Sequence, residues 1–530
     1  MKKDHARWGP NISHYVNTYE ARIHRAYEDY TGEKEITSIA HEGLAPLPLL
    51  ETALTISENM HKGGFQHGEN SIPVIMTAIR RYTELHEHGI FSYYYGFLCI
   101  RHLMRMVCIG TLMQNSVLED FLDSLDPRDS PIRVTTELAD RALDVMHDAL
   151  ITRDGMEIVR TLGMLSNEKL NAFPMLGGLS FKDAEFLVTT LWKDRRSIIT
   201  VGDRGLLPGL GVLLFVLCEM LTHNPNQRMF ECWSEMQELM VRHYMVASGS
   251  ERSILRQLTR FIDQTLLHAG RDVQYPRYQE DAREVIQTYS DMMFSPDDPN
   301  LAQIMLLDMA YVLFQFVHSL CTPRVEDAIP MAVCAGLERI WLECDRERHG
   351  FMAANRRGFT RQFTHFMFFR LRLIREGLRT KTGRMAFGEA IVGESNIISL
   401  AGRVLLMMTM DDREPDFWDT MVQGLEDLYE LIAAVFSAGI PNNISGATAS
   451  EWNKVWHHLL DIYNGNAPVE VSMLYIEKAI EMWQPLGPIR QDTELCAYPR
   501  CSVVFIENKS QDSSGLLASN SLFRTNLVNA

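Results

Sequence analysis

The sequence predicts an all-α fold, and three observations carry that prediction. Apolar residues recur every three or four positions over most of the chain, proline is scarce at 20 of 530 residues, and strand-like alternation is confined to residues 502–506. The three- and four-residue spacing is that of a helix that buries one face. Counting the periodic segments between turn signals gives roughly seventeen helices.

The apolar stripes locate individual helices. One stripe runs from Cys232 to Tyr244, a second from Ile254 to Leu266, and a third from Phe417 to Val435. Helix starts are predicted where a capping side chain precedes a helical run. Ser180 with Asp183 forms such a capping box, and Thr322 before Pro323 places a capping residue ahead of a proline suited to a first helical turn.

The predicted arrangement is an irregular antiparallel helical array over residues 1–484, resembling a degenerate armadillo- or HEAT-like solenoid. A single core stops growing near about 250–300 residues, whereas stacked helix pairs extend without that limit. A compact multi-helix bundle is the alternative.

The C-terminal residues are predicted to differ from this array. Residues 485–508 are predicted to be a separate short segment. Residues 509–530 carry no apolar stripe and are predicted to be a disordered tail.

The overall charge argues against two classes of partner. Asp and Glu total 68 against 51 Lys and Arg, which gives −17 with neutral His. Such a chain is poorly suited to non-specific nucleic-acid binding or to an anionic membrane surface. The longest uncharged apolar run, Gly205–Cys218, is shorter than the roughly 20 residues that a spanning helix needs.

The cysteines and the N-terminal sequence indicate a compartment. Nine cysteines stand at irregular intervals, mostly within helical stripes, as is typical of reduced, buried thiols. The first residues contain no apolar segment of the kind that marks a signal peptide. We therefore expect a cytoplasmic or nuclear protein without a transmembrane segment.

The strongest local charge feature is a basic region at residues 345–384, with eleven basic and three acidic side chains. One helical face carries Arg361, Arg372, Arg375 and Arg379, opposite apolar residues. This face could bind RNA or another polyanion, with Phe359, Phe368 or Phe369 stacking on bases. Residues 411–430 carry a net −7, however. The favoured interpretation is therefore that the basic and acidic segments pair within the chain.

No local motif predicts a catalytic residue or a resident cofactor. The sequence contains neither a Gly-x-Ser-x-Gly elbow nor a phosphate-binding Gly-x-x-x-x-Gly-Lys loop. The histidines of His86-Glu87-His88 and His457-His458 are spaced two and one apart. On a helix these spacings direct the rings apart, whereas a zinc pair needs an i, i+4 spacing.

One short motif resembles a known family. Pro485-Leu486-Gly487-Pro488 leads into Cys496-Ala497-Tyr498-Pro499-Arg500-Cys501, which looks like the entry to the MYND-type zinc finger in a group of fungal helical proteins. The resemblance covers about twenty residues and implies zinc ligation by Cys496 and Cys501 and a role as a protein-binding adaptor. After Cys501 the sequence has no Cys or His, so the ligand set of the family is incomplete.

These observations favour a non-enzymatic scaffold or adaptor that presents a helical surface to an unknown protein partner. Two alternatives stay open. One is an all-α enzyme whose site is assembled from residues distant in sequence, and the other is RNA or polyanion binding through the basic region.

The incomplete finger leads to a prediction about zinc content. A stable site needs three or four protein ligands, so the purified chain should carry well under one zinc ion per molecule. Inductively coupled plasma mass spectrometry measures this zinc content. One zinc per chain, lost on Cys496→Ser and retained on Cys108→Ser, would contradict this prediction.

Overall fold

The computed structural model describes residues 4–28, 46–58, 71–126, 128–152, 155–164, 171–223, 230–268, 280–294, 302–348 and 354–408, with short stretches and single positions between 423 and 505. The chain divides into two compact units, Met1–Arg339 and Ile340–Ala530. This boundary falls inside the region 1–484, which the sequence indicated as one array.

The all-α prediction is confirmed. The helices of the first unit are α1 (Ile12–Glu28), α2 (Leu47–Glu58), α3 (Ser71–Leu85), α4 (Tyr94–Gln114), α5 (Leu118–Ser124), α6 (Pro131–Thr152), α7 (Gly155–Thr161), α8 (Phe181–Lys193), α9 (Arg195–Gly202), α10 (Leu210–Thr222), α11 (Phe230–Val246), α12 (Gly249–His268), α13 (Ala282–Phe294) and α14 (Ala302–Leu320). Beyond them lie α15 (Ile329–Arg348), α16 (Ala354–Gly377), α17 (Lys381–Glu389), a π-helical turn (Ala390–Glu394) and α18 (Ile397–Met408).

Strands are short in the part of the chain that is described. Asn171–Ala172 (β1) pairs antiparallel with Leu179–Ser180 (β2), and Glu494–Leu495 (β3) pairs antiparallel with Val504–Phe505 (β4). The second pair includes the strand that the sequence indicated at residues 502–506.

The stripes and caps are mostly where the sequence placed them. The first two stripes lie in α11 and α12, while most of the third lies outside the described residues. Ser180 forms the expected capping box with Asp183 at the start of α8. The helix start at Thr322 was wrong: the carbonyl of Thr322 accepts from Val325 in a turn, and α15 begins at Ile329, where Pro330 fits the first helical turn.

Two helices form the centre of the first unit. α10 is buried from Leu210 to Leu221, and α4 from Tyr94 to Leu112. By length and composition α4 could cross a membrane, but 94% of its most apolar window is covered by the rest of the protein. Its burial is that of a core helix, which explains why it is apolar on every side.

Packing in the first unit links helices that are far apart in sequence. α10 packs against α4, α6, α8, α11 and α12, and α6 also packs against α1, α2 and α12. In a solenoid each repeat contacts only its neighbours along the chain. The contacts of this unit therefore favour the multi-helix bundle that the sequence left open as the alternative.

A buried ionic network fixes α8, α9 and α11 to the start of α13. Glu238 accepts hydrogen bonds from the Nε of Arg195 and of Arg242 through Oε1, both at 2.9 Å, and from Trp192 through Oε2. Arg242 also donates to Asp281 at 2.6 Å. The side chains of Arg242 and Glu238 are 0% and 1% exposed, so each charge depends on its partners rather than on water.

The second unit buries the apolar side of its basic helix. Phe363, Phe366 and Met367 of α16 are buried, as the sequence pattern predicted. Trp341 of α15 donates its indole N–H to the carbonyl of Ser395 at 3.0 Å, next to the π-helical turn. Residues 509–530, the expected tail, lie outside the described part of the chain.

The Glu238 network leads to a stability prediction. Glu238→Gln leaves two buried guanidinium groups without their shared carboxylate, so the free energy of unfolding should fall by about 3–5 kcal/mol. Urea unfolding followed by circular dichroism measures this change. The control is Asp327→Asn, which breaks the exposed Arg283–Asp327 pair and should have a much smaller effect. Equal losses of unfolding free energy in the two variants would contradict the assignment of Glu238 as a stabilising partner of the two buried arginines.

Candidate functional site

The N-terminus of α10 lies in the core, where its amide groups cannot reach water. Glu251, in the first turn of α12, supplies the missing acceptor: its Oε1 accepts from the amides of Gly209 at 3.1 Å and Gly211 at 3.0 Å. Unpaired amides at a helix start attract a carboxylate because the end of the helix dipole is positive. Glu251 therefore caps α10 from a different helix.

Two glycines allow this approach. Gly209 precedes α10 with φ of +88°, a left-handed conformation that L-residues with side chains rarely adopt. A Cβ on Gly211 would lie 3.2–3.3 Å from three atoms of the Glu251 side chain. The turn before α10 is also held by Arg101 of α4, which donates to the carbonyl of Leu206 at 2.9 Å.

His243, near the end of α11, contacts the second oxygen of the same carboxylate. Its Nε2 lies 3.4 Å from Glu251 Oε2, and the side chain is 2% exposed. Within the part of the chain that is described, neither ring nitrogen has a partner at hydrogen-bond geometry, and both are shielded from solvent. Buried ring nitrogens without partners cost free energy.

A cavity of ≈ 140 Å³ opens beside these residues. Its polar lining, which we call the histidine pocket, is formed by Thr136, Asp140, His243, Ser248 and Glu251. The polar residues come from α6, α11, α12 and the turn between the last two. The remaining wall is largely apolar and includes Ala139, Leu207, Pro208 and Val246.

The two carboxyl groups of the histidine pocket differ in their electrostatics. Burial raises the pKa of Glu251, but the contact with His243 and the hydrogen bonds from Gly211 and Gly209 outweigh it and hold that pKa below its usual value. The pKa of Asp140 is raised, first by burial and then by the charge of Glu251 and other carboxylates, against a hydrogen bond from Ser250. Glu251 is thus a compensated anion, whereas at Asp140 the hydrogen bond from Ser250 does not outweigh the effect of burial.

The basic face predicted from the sequence is in part neutralised within the chain. Arg372 forms ion pairs with Asp427 and Glu430 of the acidic segment and with Glu376. This is the internal pairing that the sequence favoured. Arg375 is half-buried and Arg379 is exposed. Arg361 lies in α16, and its side chain is outside the described residues.

The aromatic residues of the same helix fit base stacking poorly. Phe368 is fully buried, so it cannot stack on a nucleic-acid base. Phe369 is 37% exposed, but the guanidinium of Arg370 lies 5.8 Å from its ring centroid. The structure therefore gives less support to the polyanion surface than the sequence pattern suggested.

The histidine pair His86 and His88 is arranged differently from the sequence prediction. α3 ends at Leu85, so neither histidine is helical, and the two rings lie edge to face with centroids 4.7 Å apart. The expectation of diverging rings was wrong because it assumed a helix through residue 88. Among the described residues, no group of His, Cys, Asp and Glu is arranged to hold a metal ion.

The cysteine predictions divide into two groups. The six described cysteines are free thiols: Cys99, Cys108, Cys218, Cys232, Cys321 and Cys334. Burial raises the pKa of Cys321 to about 12, which keeps its thiol protonated and unreactive. The candidate zinc ligands Cys496 and Cys501 lie outside the described residues.

Sequence reasoning missed the histidine pocket. His243 and Glu251 are eight positions apart across the α11–α12 corner, and Asp140 is more than a hundred residues away from either. The one local signal is the Gly- and Pro-rich stretch Leu206–Gly211, which marks a tight turn before an apolar helix. That signal predicts the turn but does not identify its acceptor.

Comparison with known proteins adds no family to this description. No family model, curated protein or solved structure matches the chain.

The raised pKa of Asp140 leads to a prediction about stability and pH. Because the folded state favours the protonated acid, wild-type stability falls as pH rises from about 3.8 through the raised pKa. Asp140→Asn removes this cost, so its urea midpoint should exceed that of wild type at about pH 7, and the difference should shrink towards about pH 4.

Asp144→Asn is the matched control, since Asp144 lies one turn further along α6 and its side chain is 67% exposed. It should leave the midpoint nearly unchanged. If Asp140→Asn were less stable than wild type at neutral pH, the raised pKa of Asp140 would be contradicted.

Proposed function

We propose that the protein is a non-enzymatic helical scaffold that binds a protein partner. The observation that carries the proposal is that three large aromatic side chains are exposed to solvent on three helices of the first unit. Phe261 of α12, Phe294 of α13 and Tyr311 of α14 are 36%, 48% and 44% exposed. α14 packs against both α12 and α13. Aromatic residues supply much of the binding energy of protein interfaces.

A rigid support strengthens this proposal. The Glu238 network joins helices α8, α9 and α11 through buried charge-assisted hydrogen bonds, and the ring of Trp233 on α11 contacts Phe261 of α12 edge to face, at 6.3 Å between centroids. Side chains held on packed helices lose little conformational freedom on binding, which favours affinity.

The resemblance of residues 485–501 to the start of a MYND-type finger points to the same adaptor role. The proposed compartment is the cytoplasm or nucleus. The free thiols of the described cysteines suit a reducing compartment, where disulfides are rare.

The test is quantitative affinity purification with a variant that removes the exposed rings. Phe261→Ser, Phe294→Ser and Tyr311→Ser together should lower recovery of any specific partner at least about tenfold. Because Phe261 also contacts Trp233, urea unfolding of the variant checks that it is still folded. Leu85→Ser is the control, because Leu85 is 54% exposed at the end of α3. Equal recovery with the triple variant and wild type would refute the assignment of these residues.

A second candidate is the all-α enzyme with a site dispersed in sequence, and the histidine pocket favours it. His243 and Glu251 form an imidazole–carboxylate pair of the kind that supports a general base, and Thr136 and Ser248 line the same cavity. A screen of ester, amide and amine substrates tests this role. Turnover that is unchanged by His243→Asn would exclude it.

A further inference from the structure

The segment before α1 closes into a short loop that contacts α3 and α4. His5 and Gly9 exchange backbone hydrogen bonds at 2.9 and 2.8 Å, and we call the residues between and including them the N-terminal loop. The loop carries Trp8, which is 4% exposed, and the carbonyl of Trp8 accepts from the amide of Tyr95 in α4 at 3.1 Å. Tyr82 of α3 and Tyr95 contact the indole edge to face, with centroids at 5.1 and 5.2 Å.

The N-terminal loop depends on a histidine nitrogen that accepts hydrogen bonds. Nδ1 of His5 accepts from the backbone amides of Arg7 at 3.1 Å and Trp8 at 3.2 Å. A backbone N–H group can only donate, so this nitrogen must carry its lone pair, and the proton of the neutral ring is on Nε2. When the ring takes up a second proton, Nδ1 becomes a donor and both hydrogen bonds are lost.

A second histidine next to the loop has the same arrangement. Nδ1 of His86 accepts from the backbone amide of His88 at 3.1 Å. The ring of His86 stacks on Tyr82 at 5.3 Å between centroids, and it meets Trp8 and His5 edge to face at 6.3 and 6.4 Å. Protonation of His5 and His86 therefore breaks the hydrogen bonds of both nitrogens and places two positive charges next to each other.

The carboxylates of the neighbouring segments are engaged elsewhere. Their partners are Asn11 and His14 for Asp4, Arg81 for Glu84, and the backbone amide of Phe91 for Asp194. Glu87 is exposed, so water and salt screen its charge. Acid strengthens the contact of His14 with Asp4, but that contact holds residue 4, which precedes the loop.

The cations near the two rings add to the effect of protonation. The guanidinium of Arg7 lies 4.7 Å from the ring centroid of Trp8, and the rings of His88 and His86 are 4.7 Å apart. A protonated His86 gains a cation–π attraction to Tyr82. This single contact replaces the hydrogen bonds that both histidines lose, so acid weakens the closed loop.

We propose that the N-terminal loop is a pH-sensitive latch, which the unprotonated Nδ1 atoms of His5 and His86 hold closed and which acid loosens to uncover Trp8. The hydrogen bonds are present above the range in which histidine changes its charge, about pH 5–8, and are lost as pH falls through it. This inference does not depend on the scaffold proposal, whose exposed aromatic residues lie on α12, α13 and α14.

The experiment is amide hydrogen exchange of the full-length protein, read by mass spectrometry and corrected for the intrinsic exchange rate at each pH. From about pH 7.5 to about pH 5.5, protection of residues 6–9 should fall at least about fivefold. The amides of α10 should stay protected throughout, which shows that the protein is folded. Unchanged protection of residues 6–9 would overturn the proposal, and so would a midpoint near about pH 4, where carboxylates titrate.

Asparagine substitutions test the two nitrogens. The amide oxygen of asparagine accepts from a backbone N–H two residues on but does not titrate. The double variant His5→Asn with His86→Asn should therefore keep the loop protected at neutral pH and lose less than about twofold in acid. An acid response equal to that of wild type would refute the role of these histidines.

His88→Asn is the matched control. His88 is exposed, and its ring accepts no hydrogen bond among the described residues, whereas its backbone amide donates to His86. The variant should keep most of the wild-type acid response. If His88→Asn abolished that response as completely as the double variant does, repulsion between rings would be the cause and the acceptor mechanism would be wrong.

Discussion

A helix that is buried from its first residue needs acceptors for the amides of its first turn, and this constraint organises the centre of the protein. α10 is apolar enough to lie in the core, but its amides at Gly209 and Gly211 are then shielded from water. Leaving them unpaired would cost about 1–3 kcal/mol each. The carboxylate of Glu251, itself buried, removes that cost.

The buried carboxylate brings further polar groups with it. A charge in the core needs more than backbone amides, and His243 occupies the other oxygen of Glu251. His243 and Asp140 line the same cavity, and both ring nitrogens of His243 are shielded from solvent. The histidine pocket is thus first a structural solution to the burial of Glu251.

Two buried polar systems of the first unit illustrate different outcomes of the same physics. In the Glu238 network, both carboxylate oxygens accept from nearby side chains, and Arg195, Arg242 and Trp192 are held by it. In the same network, Nη2 of Arg242 and Oδ1 of Asp281 have no hydrogen-bond partner among the described residues. In the histidine pocket, Asp140 and His243 line a cavity. That cavity is why we place the candidate site there.

The sequence by itself determined the helical class, the positions of α11 and α12, the capping box at Ser180 and the buried side of α16, because each depends on the three- and four-residue period or on contacts within one turn. Pairing of the basic and acidic segments was also predictable, since opposite net charges are visible in the sequence. Only the tertiary structure decided that the first unit packs like a bundle, that His86 and His88 approach each other, and that Asp140, His243 and Glu251 share a cavity. These features depend on contacts between distant segments and on where a helix stops, and periodicity along one helix carries no information about either.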